Sequence, residues 1–149
     1  MTEEQIKRKF PAGFREDLLP AGAKEQSITV YRVCPTGAVE AASFLPTYLD
    51  KELTSIKEYD PDDPGTYSLS TFENLNHAQK LLKCSMKYHP APIIACGITE
   101  PAFGPSQRTK DRIENRVQRA RVRSHVDWWL YDGAQPEKSF VQEEGGNQA

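Results

Sequence analysis

Cysteine is scarce in this chain of 149 residues: three positions, Cys34, Cys84 and Cys96, scattered and with no C-x-x-C pair. That excludes a disulfide framework and the paired spacing of a zinc site, and leads us to expect buried, reduced thiols in a cytoplasmic protein. Long apolar runs are lacking too. No stretch approaches the roughly 20 residues that cross a bilayer. The opening Met-Thr-Glu-Glu-Gln-Ile-Lys-Arg-Lys-Phe has no apolar block after its charges, so neither a membrane span nor a secretory signal is expected. There is no phosphate-binding Gly-rich loop, no G-x-G-x-x-G, no H-E-x-x-H and no G-x-S-x-G. The chemistries that depend on those loops and helices therefore have no signature here. The acidic stretch Tyr59-Asp-Pro-Asp-Asp-Pro-Gly65 carries two prolines and no suitably placed glutamate. It reads as a solvated turn, and no metal site is expected.

What is present is the composition of a folded globular chain, 38% hydrophobic and 27% charged. We expect a flexible or loosely docked arm over 1–26, one domain over 27–142 and a disordered tail over 143–149, with a helical turn near Thr2–Lys9. Ser27–Cys34 is β-branched and closed by Pro35, a strand. Gly37–Leu53 reads as two short helices broken at Pro46. Tyr67–Phe72 predicts a short strand running into a helix, with Ser70 as N-cap and Glu73 completing a capping box. Leu75, Ala78 and Leu82 form the apolar stripe of that helix, which should end near Tyr88. Pro92–Thr99 is apolar on both parities, a strand covered on both faces. Thr109 suits the N-cap of a helix over Lys110–Gln118, and Ser139–Gln142 adds a last short strand. The fold class is α+β: a small mixed or antiparallel sheet of about five strands with two or three helices in a single domain.

Arg119–Tyr131 alternates strictly. Ala120, Val122, Ser124, Val126, Trp128 and Leu130 share one parity; Arg119, Arg121, Arg123, His125 and Asp127 share the other. This is the period-two pattern of a half-buried strand, with a row of cations, an imidazole and a carboxylate on its polar face. The basic run extends from Arg108 to Arg123, opposed only by Asp111 and Glu114. In the first strand Arg32 shares its parity with Ile28, Val30 and Cys34. If that face is inward, the guanidinium needs a carboxylate or a bound anion; if Tyr31 and Val33 form the core face, Arg32 snorkels to solvent.

Tyr31-Arg32 on an early strand, then Ser68-Leu69-Ser70-Thr71 leading directly into a helix, then a buried strand, resembles the ADP-ribosyltransferase fold. That family has a split sheet around an NAD cleft, an Arg or His on the first strand and a Ser-Thr-Ser-like segment on the next. The resemblance implies NAD as cofactor, Arg32 as the anchor of its phosphates, Ser68 and Ser70 bracing the cleft and Tyr67 stacking on a planar ring. It implies a transferase of toxin or defence type. The chain departs from the family in reading Ser-Leu-Ser-Thr and in having no Glu-x-Glu at the expected third position. His125 and Asp127 occupy the corresponding strand, with His125 as the acid/base group. The flanking Arg119, Arg121 and Arg123 resemble the wall of those branches that act on phosphorylated nucleic acid.

Two other classes stand beside this one. A nucleic-acid-binding module without chemistry would use the Arg108–Arg123 patch, including Arg119, Arg121 and Arg123, with Trp129 and Tyr131 available for base stacking. A structural subunit would use the proline-bearing N-terminal arm and the Trp pair as its contact with a protein partner.

Overall fold

The computed structural model describes residues 9–51 and 58–143. Its regular elements are β1 (Thr29–Cys34), β2 (Leu69–Phe72), helix α1 (Leu75–Ser85), β3 (Ile93–Ile98), β4 (Ser106–Arg108), helix α2 (Arg116–Arg121), β5 (His125–Trp128) and β6 (Phe140–Gln142). The strands form one sheet in the order β4-β5-β2-β1-β3-β6, with every neighbouring pair antiparallel. The α+β class holds, with a sixth strand, β4, inside the stretch whose prolines and glycines read as loop.

The two faces follow the strand parities. Val30, Cys34, Leu69, Ala95, Val126, Trp128 and Phe140 build one core, roofed by Phe44. On the other face α1 lays Ala78 and Leu82 against Val33 and Ile94. Both faces of β1 and β3 are therefore covered, as the doubly apolar Pro92–Thr99 run requires. Each fully buried side chain of this size contributes about 1.5–3 kcal/mol.

The sheet is not uniformly laced. β1 and β3 pair along their whole length, from Thr29↔Ile98 to Cys34↔Ile93. β1 and β2 share a single paired position, Tyr31↔Phe72. The sheet thus opens between β1 and β2 into two halves, β4-β5-β2 and β1-β3-β6.

Several local expectations are corrected. Arg119–Tyr131 is not one strand. Asn115 caps a helix by accepting from the Val117 and Gln118 amides, and β5 begins only at His125. Arg119 and Arg121 lie on that helix, so the alternation of the arginines reflects no sheet. Helix α1 is capped by Asn74, which accepts from Asn76 and His77, whereas Ser70 is held in β2 opposite Asp127. Glu73 is drawn away to Arg108 at 2.8 Å. Thr109 opens only a 3-10 turn, Thr109–Arg112. Cys34 is buried and Cys96 half-buried, but Cys84 is exposed on α1. Trp129 is fully buried with Trp128, because the 101–105 segment crosses directly over it. Gly104 allows that crossing: it has φ +147°, and a Cβ there would lie 1.9 Å from the Trp129 carbonyl oxygen.

The described part of the N-terminal arm lies along the sheet edge. Phe10 stacks on Phe14 with centroids 4.0 Å apart, Phe14 meets Tyr67 and Tyr48 edge-on, and Lys24 bridges to Ser106. The expected pair of short helices is replaced by 3-10 turns, Ala41–Ser43 before Pro46 and Thr47–Leu49 after it. The turn expected near Thr2–Lys9 falls, apart from Lys9, outside the described residues. So do positions 52 and 53 of the expected second helix and positions 144–149 of the expected tail. Among the described residues no helix is long and apolar enough to cross a membrane.

Candidate functional site

Arg32 is on the inward parity, and its side chain is 9% exposed. Its hydrogen-bond partners are main-chain carbonyls and not the expected carboxylate. Nε and Nη2 donate to the Ser43 carbonyl at 3.1 and 2.9 Å, and Nη1 donates to the Ser70 carbonyl at 3.0 Å. The Ser70 carbonyl lies on the edge of β2 that faces the opening. A side chain thus takes the place of missing ladder bonds between β1 and β2. Burial lowers the guanidinium pKa to about 10, against the pull of Cys34 and Asp50. Arg32 remains charged at neutral pH, and three of the five N–H donors of a guanidinium are engaged.

Beside the opening, on the α1 side of the sheet, lies a cleft of about 390 Å³. Ser70, Thr109, Arg112, His125 and Asp127 form its inner wall, and Glu58, Asp60 and Asp63 lie at its edge. Strand register accounts for the grouping. Ser70 pairs with Asp127 and Phe72 with His125, so these four side chains share one face. The 3-10 turn after β4 then brings Thr109 and Arg112 over them.

Asp127, 1% exposed, is the centre of the cluster. It accepts from the Ser68 hydroxyl, from Thr109 Oγ1 at 2.7 Å and from Arg112 Nη1 at 2.7 Å. Burial alone would raise its pKa, but these groups and His125 outweigh it and hold the carboxyl below its usual range. Arg112 is steadied in turn by Gln107 at 3.2 Å and by the ring of Trp129, 5.7 Å from its guanidinium carbon. No buried side-chain nitrogen or oxygen lacks a partner, so the network is closed among the described residues.

Proton counting then fixes the state of His125. Its Nδ1 lies 2.6 Å from Thr109 Oγ1 and 3.9 Å from Asp127, the latter too long for a hydrogen bond. The Thr109 hydroxyl has one proton, and it goes to a carboxylate that can only accept. His125 must therefore donate from Nδ1, which leaves the lone pair on Nε2. Nε2 has no hydrogen bond among the described residues and is not among the buried unpartnered atoms, so it is open to the cleft. Burial lowers the His125 pKa, opposed by Asp127 and reinforced by Arg112 and Arg32. The imidazole is neutral at pH 7, with an acceptor nitrogen turned outward: the form a general base needs.

Of the residues singled out in the sequence, Ser68, Ser70, His125 and Asp127 come together. Arg32 touches this group only through the Ser70 carbonyl and does not line the cleft. Tyr67 is buried in the aromatic layer, its hydroxyl donating to the Pro61 carbonyl at 2.8 Å. Arg119 and Arg121 are exposed on α2, and Arg123 donates to His77 Nε2 at 3.1 Å on a separate surface. Trp129 is fully buried under Arg112 and donates its indole N–H to the Pro64 carbonyl, and Tyr131 packs its ring against Phe10 and donates to Glu25 at 2.6 Å. Thr109, Arg112 and Gln107 were not singled out as partners of Asp127. The available signal was Asp127 itself, since a carboxylate flanked by Val126 and Trp128 needs donors from elsewhere. Among the described residues no group of three or more His, Cys, Asp or Glu is placed to hold a metal ion. Comparison with protein-family models, with curated proteins and with solved structures returns no match for this chain.

Proposed function

We propose that the cleft beside the β1–β2 opening binds the nicotinamide end of NAD and transfers its ADP-ribosyl group, as the likeness to ADP-ribosyltransferases implies. The single observation that carries this reading is the Asp127–Thr109–His125 relay, which turns a neutral, proton-accepting Nε2 into a cleft next to Ser70. The opening of the sheet between the Arg-bearing and Ser-bearing strands supports it, because that family is built on a split sheet around its NAD cleft. The carboxylates at the edge, Glu58, Asp60 and Asp63, suit a pyridinium cation better than a phosphate. Of NAD and a free nucleotide anion, NAD is therefore the better fit.

In this reading the bond between the ribose anomeric carbon and the nicotinamide nitrogen breaks. Its electron pair leaves with the ring, which becomes neutral. An acceptor nucleophile bonds to the anomeric carbon and gives its proton to His125 Nε2. Asp127 then stabilises the imidazolium through Thr109. Arg32 lies on the other face of the sheet, over Phe44, so its part in this reading is to hold the Ser70 carbonyl beside the cleft.

Calorimetric titration with NAD, together with nicotinamide release, tests the proposal. Binding by the intact protein, retained in His125→Ala but without nicotinamide release, is the expected result. Absence of binding, or release that is unchanged in His125→Ala, would overturn it. A second reading, nucleic-acid binding, is favoured by the exposure of Arg116, Arg119 and Arg121 on α2. It predicts affinity that falls steeply with salt and is lost when these three become alanine.

A further inference from the structure

A second hollow, larger than the cleft, runs between α1 and the start of β3. It is about 1090 Å³ and open along its length. Its floor is aliphatic, formed by Leu82, Met86 and Ile93, and its rim carries Lys80, Lys83 and Arg123. No carboxylate and no Phe, Tyr or Trp is among the residues that line it; its one ring is the His77 imidazole. Met86 is 57% exposed, so this part of the helix has no cover within the chain among the described residues. His77 accepts from Arg123, which holds that guanidinium over the groove.

We infer that this groove is a docking site for an amphipathic acidic segment of a partner protein, one that lays aliphatic side chains on Leu82, Met86 and Ile93 and carboxylates against Lys80, Lys83 and Arg123. Three features select this occupant. The rim is of one sign, so the ligand must bring the negative charge. The floor is aliphatic and carries no Phe, Tyr or Trp, and its one ring, His77, is tied to Arg123 and Ser124, which disfavours single-stranded nucleic acid. The hollow is at the upper end of the roughly 300–1,000 Å³ of a small-molecule site and is open to solvent instead of enclosed, as a groove that receives a helix is. The inference is independent of the chemistry of the cleft.

The test uses the full chain and a helical peptide of about four turns, Leu on one face and Glu on the other. A peptide with Gln in place of Glu and an oligothymidylate serve as comparisons. Amide shifts in a nitrogen–proton correlation spectrum locate binding, and anisotropy measures it. The Leu/Glu peptide should shift Leu82, Met86 and Ile93. Its affinity should fall by at least about tenfold in Lys80→Glu/Lys83→Glu, which changes two exposed side chains, and should fall likewise for Met86→Asp. The Gln peptide should bind more weakly. The proposal is overturned if the Leu/Glu peptide does not bind, if its affinity is indifferent to the charge reversal, or if oligothymidylate binds as tightly. Sedimentation of the protein alone supplies a last check. Self-association that disappears in Lys80→Glu/Lys83→Glu would give the groove to a second copy and refute a partner segment.

Discussion

The two halves of the sheet are built on different chemistry. The β1-β3-β6 half is a continuous ladder filled with Val30, Val33, Ile94 and Ala95. The β4-β5-β2 half buries Ser68, Thr71, Ser106, Gln107 and Asp127, with Thr109 and Arg112 packed over it. Hydrophobic burial is non-directional and tolerant of small adjustments. A closed polar network in a dry interior has one good arrangement, and removing a member exposes the full desolvation penalty of the others. The β4-β5-β2 half also buries Leu69, Val126 and Trp128 on its other face; only its polar face uses that stability to fix the geometry and protonation of a few groups.

Asp127→Ala should break this contrast most severely. It leaves Arg112 with no carboxylate and the Thr109 hydroxyl without its acceptor, while Ser68 keeps the Gly65 carbonyl, at a cost of about 3–5 kcal/mol in denaturant unfolding. Ile94→Ala, in the apolar half, should cost about 2–4 kcal/mol yet leave the titration of His125 unchanged, as read by proton NMR of its ring. Thr109→Val should cost only about 1–2 kcal/mol but alter the His125 tautomer, visible in the ring nitrogen shifts. Thr109→Ser should restore it, and a tautomer indifferent to both changes would remove Thr109 from the relay.

The smallest effect is with pH. His125 lies below the ordinary value of about 6.5 through burial, and His77 through desolvation and the neighbouring Arg123 and Lys80. The unfolded chain then takes up protons first. Stability should be full above pH 6.5 and decline as the pH falls towards the folded pKa values. His125 should account for a slope of at most about 1.4 kcal/mol per pH unit, removed by His125→Asn.

Much of the scaffold was legible because it rests on local pattern. The α1 stripe of Ala78 and Leu82 and the doubly covered β3 follow from spacing; the phase of Arg32 does not, because parity alone left the inward and the snorkelling readings equally open. What was hidden depends on contacts between distant segments. The carbonyls that satisfy Arg32 belong to Ser43 and Ser70, and the donors to Asp127 belong to Ser68, Thr109 and Arg112; no periodicity encodes either set. The Arg119–Asp127 alternation misled for a different reason. Five polar residues at every second position fit a strand, but the Asn115 cap makes a helix of the first part, and a helix with arginines on every side has no core face to betray it. Trp129 was drawn outward by parity, although Gly104 permits the crossing segment that covers it.

Arg32 has one consequence beyond the site. Main-chain ladders are made of atoms that every residue possesses, so almost any substitution leaves such a seam intact. Here a gap in the seam is bridged by one side chain reaching from the first strand to the Ser70 carbonyl. A single amino-acid change at that position removes the one side-chain clasp described across the seam and leaves the Tyr31↔Phe72 pair and the shared core to hold it at the very line where the cleft begins.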